Sequence, residues 1–166
     1  MNAGGTRVQF PNVTGSNLQR KGFRLPQDFQ GDPNLVLIAF QQWQQRLVDS
    51  WIPFARQLEE GHPGLRYYEL PAIQDRNIVA RTFINEGMRA GIPDPVARER
   101  TITLYLDTAA FRAALHLPSE DDIYVLLVDR HGRVVWRTQG AFSEQAGASM
   151  VAFIRRSQPN PDSEGA

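Results

Sequence analysis

Leu35-Val-Leu-Ile-Ala-Phe-Gln-Gln-Trp-Gln-Gln-Arg-Leu-Val-Asp-Ser-Trp-Ile-Pro53 decides the fold. Leu35 to Phe40 is apolar without alternation, the pattern of a strand covered on both faces. Polar residues and Trp43 follow. A helix then reads from about Gln42 to Glu60. Leu47, Trp51, Phe54 and Leu58 recur at spacings of four, three and four, and Val48, Ile52 and Ala55 widen the stripe into a core-facing surface. Pro53 lacks an N–H and crowds the preceding turn, so a kink is expected inside this helix. Gly61-His-Pro-Gly64 ends it.

Working outward, the chain alternates. Leu65 to Ile73 reads as a strand with Pro71 near its end. A helix follows from about Arg76 to Arg89, capped by Asp75, with Val79, Phe83 and Gly87 inward. Gly91 to Pro95 is a break. Thr101 to Asp107 alternates and is β-branched and aromatic, hence a strand. Thr108 to Leu115 is a short helix around Phe111. Ile123 to Val128 is a second continuous apolar strand. Asp129-Arg-His-Gly132 turns it into Arg133–Thr138, closing a hairpin. Gly140 breaks that strand, and Ser143 caps a last helix reaching about Arg155, with Met150, Val151 and Ile154 inward. Before the opening stretch, Gly15, Gly22, Gly31, Pro26 and Pro33 punctuate a small hairpin or extended lead-in. Alternation predicts parallel neighbours flanked by helices, and the hairpin an antiparallel edge. The expected domain spans 10–156, between a disordered start (1–9) and a disordered tail (157–166).

At 166 residues one domain can bury a core without staples. Formal net charge is zero, which gives no global pull toward nucleic acid or an anionic membrane. With no cysteine there is no disulfide, thiol redox chemistry, thiolate nucleophile or Cys-bound zinc. No apolar run approaches the length of a bilayer span, and the start shows neither a signal-peptide core nor an organelle leader. His62, His116 and His131 lie apart, in or beside turns, without metal-ligand spacing. Ser50 and Ser143 lack a nucleophile elbow, and no phosphate-cradling glycine pattern occurs. No cofactor or metal is expected.

Phe40 to Pro53 can be laid without a gap on the thiol oxidoreductase pattern of the thioredoxin-like superfamily: strand, aromatic, tryptophan-bearing loop, C-x-x-C, four residues, proline. Counting back from Pro53 puts the second cysteine position at Val48 and the first at Gln45. The proline opposite the thiols falls at Ile123, six residues before Asp129. A cis bond there would cost roughly 3 kcal/mol, so a trans peptide is expected. A closer resemblance is to the mitochondrial ATPase-complex assembly factor ten family. It is carried by Phe10-Pro-Asn-Val-Thr-Gly-Ser-Asn-Leu18, by Leu25-Pro26 with Gly31, by Val48-Asp-Ser-Trp-Ile-Pro-Phe54, and by Tyr124 to Trp136. Val48-Asp-Ser-Trp51 is the most specific piece. The resemblance implies a thioredoxin-like three-layer α/β sandwich with a central mixed β-sheet and helices on both faces. It also implies assistance in assembling the membrane sector of ATP synthase, with synthase subunits as partners.

The candidate binding lip comprises Trp43, Gln44, Gln45, Asp49, Trp51 and Ile123. Tryptophan suits such anchors because it fills a pocket with a large contact area. Periodicity places Trp51 in the core instead, while Trp43 stands outside the stripe and is open to both readings. Gln41, Gln42, Gln44 and Gln45 could bond a bound segment's backbone, or simply form a solvated helix start. Glu120-Asp-Asp122 and the arginines at 89, 98 and 100 read first as solvated surface. Three functions follow: a redox-inactive binding or assembly factor, an enzyme or ligand-binding protein using no thiol, and a structural relative with a decayed site. Missing acid, base, nucleophile and metal patterns favour the first and third. Peripheral membrane association stays open. Compartment is open too: cytoplasmic without a leader, mitochondrial for a eukaryotic relative of that family.

Overall fold

The computed structural model describes residues 8–74 and 95–158. In chain order these form β1 (Val8–Gln9), β2 (Val13–Asn17), β3 (Gly22–Leu25), β4 (Asn34–Ala39), a 3-10 turn (Gln42–Gln44), α1 (Gln45–Gly61), β5 (Arg66–Gln74), α2 (Pro95–Arg100), β6 (Ile102–Leu106), α3 (Thr108–Leu115), β7 (Tyr124–Val128), β8 (Arg133–Gln139) and α4 (Glu144–Ser157). The helix expected at 76–89 lies outside the described residues.

One mixed sheet runs β1-β8-β7-β4-β5-β6-β2-β3. β4 sits inside it, parallel to β5 and antiparallel to β7, which explains its unbroken apolar run. Leu35, Val36, Leu37 and Ile38 have no exposed surface. Each such side chain contributes about 1.5–3 kcal/mol of apolar burial. Alternate residues feed two cores. Leu35 and Leu37 join Val48, Trp51, Leu58, Met150 and Ile154 beneath α1 and α4. Val36 and Ile38 join Phe10, Phe111 and Leu115 on the α3 side. Helices therefore cover both faces, and the expected three-layer thioredoxin-like sandwich is the architecture observed.

Several local readings change. Val8 and Gln9 are not disordered: they pair with Val134 and Arg133, and Val8 packs against the α3-side core. The lead-in is a hairpin, β2–β3, whose strand β2 also adds antiparallel to β6. Consequently the β7–β8 hairpin is not the sheet edge, since β1 lies outside it. α4 continues to Ser157, so the tail does not begin there. Pro71 lies within β5, toward its end at Gln74. Upstream of it β5 pairs with β4 as far as Ala39, and downstream with β6 from Ala72. α1 continues through Pro53 as a single helix.

Turn chemistry fixes the β7–β8 hairpin. Asp129 Oδ1 accepts from the N–H groups of His131 and Arg133, each at 2.9 Å. Gly132 has φ +81°, and a Cβ there would lie 2.7 Å from Pro26 Cγ. Only glycine takes that conformation without strain.

Candidate functional site

The site is the loop between β4 and α1, facing the segment before β7. Gln44 organises it and is fully buried. Its Oε1 accepts from Phe40 N–H at 2.8 Å and Gln41 N–H at 3.2 Å. Its Nε2 donates to the Glu120 carbonyl at 2.8 Å, and Gln41 Nε2 donates to the same oxygen at 2.8 Å. Two amides thus staple one loop to the other, using the donors that could have read a bound backbone. The reading of the cluster as a solvated helix start fits Gln41 and Gln42, which are exposed, but not Gln44, which is inside with its polar atoms satisfied internally.

Val48-Asp-Ser-Trp51 divides by role. Val48 is buried in the core beneath α1. Ser50 Oγ donates to Leu47 O at 2.6 Å and accepts from Phe142 N–H at 2.9 Å. Trp51 is fully buried, and its Nε1–H donates to the Gly140 carbonyl at 2.9 Å. Its ring meets Phe142 edge-on at 5.1 Å. Ser50 and Trp51 therefore clamp the connection between β8 and α4 onto α1. Trp51 belongs to the core, as its periodicity indicates, and not to a lip. Asp49 is exposed and takes no part in this clamp.

Gln45, at the first thiol position, bridges two carboxylates. Its Nε2 donates to Asp49 Oδ1 at 2.9 Å and to Glu69 Oε1 at 3.2 Å. Glu69 is the residue that sequence reasoning missed. It lies in β5, 7% exposed, bridged in parallel to Thr101. Thr101 Oγ1 lies 3.4 Å from Glu69 Oε2 but only 2.8 Å from Ala97 O. A hydroxyl has one proton, and the nearer carbonyl takes it. Glu69 is left poorly served as an anion. Burial pushes its carboxyl above the ordinary value and Asp49 adds to that, against the Gln45 hydrogen bond and the Arg56 charge. No signal in Tyr67-Tyr-Glu-Leu70 marks this residue.

Ile123 is fully buried. Its N–H is held by Asp122 Oδ1 at 2.8 Å, and its carbonyl accepts from Gly140 N–H at 3.1 Å. Cis peptides in the described residues fall at Leu25–Pro26 and Asp32–Pro33, not before Ile123. Trp43 stands apart at 49% exposure. Of the six residues of the expected lip, then, Trp43 and Asp49 are exposed and Gln45 is half-buried, while Gln44, Trp51 and Ile123 lie inside.

Three other polar residues singled out by the sequence have structural duties. His62 Nδ1 contacts Leu58 O at 3.1 Å, and His116 ends α3 at φ 58°. Arg100 pairs with Glu59 and lies over the Tyr67 ring at 5.0 Å. Arg89 and the side chain of Arg98 lie outside the described residues. Among the described residues no group of three His, Asp or Glu could hold a metal, and no helix is long and apolar enough to cross a membrane. A cavity of about 400 Å³ lies at the opposite end of the sheet, between Pro33, His62, Leu65, Asp129 and Phe153. It shares no residue with the mouth.

The family profile described as ATP10 protein matches residues 6–156. No curated protein matches the chain at a significant level. Among solved structures, a thiol:disulfide interchange protein from Bacteroides sp. superposes with TM-score 0.63 at 16% identity, covering 93% of each chain. The thioredoxin domain of a Bacteroides vulgatus thiol-disulfide oxidoreductase gives 0.57 at 16%, covering 93% of this chain and 99% of that one. Yeast Sco1 gives 0.59 at 12%, covering 94% and 100%. At such identities these likenesses establish the thioredoxin-like fold alone.

Proposed function

This chain belongs to the ATP10 protein family, and we propose on that premise that it is a redox-inactive, thioredoxin-like binding protein that assists assembly of the ATP synthase membrane sector. One observation carries the redox-inactive part. Both former thiol positions hold side chains with internal work: Gln45 bridges Asp49 and Glu69, and Val48 fills the core. With the Gln44 staple closing the mouth from within, what remains there is a fixed surface, suited to binding rather than bond-making. Among the described residues no reacting group with an activating neighbour stands at its rim, and the reading is therefore of a non-enzyme. Its partners on this reading are proteins, synthase subunits or their assembly intermediates.

Crosslinking of the tagged chain in native cells, followed by identification of the captured proteins, tests the assembly role. Membrane-sector subunits of the synthase are expected above an untagged control, and their absence would sink it. Separately, insulin-disulfide reduction by the purified chain should be undetectable, and any turnover above buffer would overturn the redox-inactive reading.

A further inference from the structure

We propose that Trp43 and the carboxylates around it form a docking surface for a basic segment of the partner protein, one presenting a lysine or arginine beside an apolar side chain. The proposal rests on the binding role proposed above and assigns its site. Three tryptophans occur in the chain: Trp51 and Trp136 are buried at 0% and 4% exposure, while Trp43 is 49% exposed. An indole in water is unusual enough to mark an interaction surface when its backbone is held rigid, because little freedom is then lost on binding. Here it is held. Trp43 lies between Gln42 and Gln44 in the turn whose two ends the Gln44 amide fixes to Phe40, Gln41 and Glu120.

The same staple brings in the charge. Glu120 is followed by exposed Asp121 and half-buried Asp122, and Asp49 is exposed on the first turns of α1. The described cations nearby include Arg46, which is exposed, Arg112, which lies 4.0 Å from Glu120, and Arg56, whose charge acts on Glu69 beside Asp49. Glu120, Asp121, Asp122 and Asp49 against these three guanidiniums leave a small acidic excess around an aromatic face. A cation is drawn to both, to the ring by its quadrupole and to the carboxylates by charge. The chain's zero net charge makes this a local preference and not a global one.

Calorimetric titration of the full chain with a synthetic peptide of alternating leucine and lysine tests the surface, with the same peptide carrying glutamate for lysine as control. Binding of the lysine peptide that weakens with salt is expected, and Trp43→Ala should weaken it roughly tenfold, the scale of losing an aromatic anchor. Trp43→Phe should retain most of it, and Asp49→Asn with Asp121→Asn should remove most of the salt dependence. Equal binding by Trp43→Ala with an unchanged melting curve, or equal binding of the glutamate peptide, overturns the proposal. Crosslinking separates the two ideas. Synthase subunits still captured by Trp43→Ala would overturn this surface and spare the assembly role. Peptide binding that depends on Trp43 in a chain capturing no synthase subunit would support the surface and remove that role.

Discussion

Two side chains at the mouth answer different questions about what a buried polar group needs. Gln44 has every polar atom satisfied: two backbone donors on its oxygen and the Glu120 carbonyl on its nitrogen. Gln44→Ala leaves those backbone groups without partners and opens a small void. A loss of about 2–3 kcal/mol is expected, read from urea unfolding. A change under the error of that measurement would mean that water replaces the amide without cost. Glu69 is the opposite case, a buried anion with weak donors. Because its folded-state carboxyl sits above the ordinary value of 4.5, mainly through burial, the folded chain holds this proton after the unfolded chain has released it. Its contribution is therefore fully present below the ordinary carboxylate value and is lost as pH rises through the folded titration. Glu69→Gln should raise the melting temperature in mildly alkaline buffer more than in mildly acidic buffer. An equal shift at both would show that Glu69 titrates as an ordinary carboxylate. Gln44 stood out in the chain but its buried role did not, and Glu69 was not marked at all. The partner that buries Gln44 stands 76 positions away, and those of Glu69 stand 24 and 32 positions away.

At the scale of elements, α1 is held to the end of the sheet by more than its apolar stripe. Ser50 accepts the Phe142 N–H, and Trp51 donates to the Gly140 carbonyl, while Gly140 N–H reaches back to Ile123. The start of α4, the end of β8 and the segment before β7 thus meet at one turn of α1. Ser50→Ala should cost about 1 kcal/mol and Trp51→Ala about 3–5 kcal/mol. Hydrogen exchange distinguishes a clamp from mere packing. In Ser50→Ala the amide of Phe142 should exchange faster while those of β4 keep their protection. Uniform loss of protection across β4 would mean that the contact supports only global stability. The packing half of this arrangement was readable, because Leu47, Trp51, Phe54 and Leu58 follow the helical period. The hydrogen-bonding half was not, because Gly140 and Phe142 lie about 90 positions downstream. Short pairings also escape periodicity. β1 has two residues, too few to alternate, and exists only because β8 offers it an edge.

Across the whole molecule, a thioredoxin-like scaffold stands without any cysteine, and placing thiols at positions 45 and 48 tests what their surroundings would do to them. Positions 45 and 48 are three apart at the start of α1, a spacing within reach of a disulfide. The double variant Gln45→Cys, Val48→Cys should therefore form an intramolecular bond on mild oxidation, leaving no thiol to titrate. Its reduced form should be a poor nucleophile. The helix N-terminus favours a thiolate at position 45. Against that stand Asp49 and Glu69, whose oxygens both lie within hydrogen-bond reach of the present side chain, at 2.9 and 3.2 Å. Where both are ionised, two carboxylates, one of them buried, outweigh a partial positive end. Adding Glu69→Gln to the double variant removes the buried charge and should lower the thiol's apparent pKa, read as faster alkylation by iodoacetamide near neutral pH. If alkylation is equally fast with Glu69 present, the buried carboxylate does not reach the site. The lack of thiol chemistry proposed above would then rest on the missing cysteines alone and not on the carboxylates around position 45.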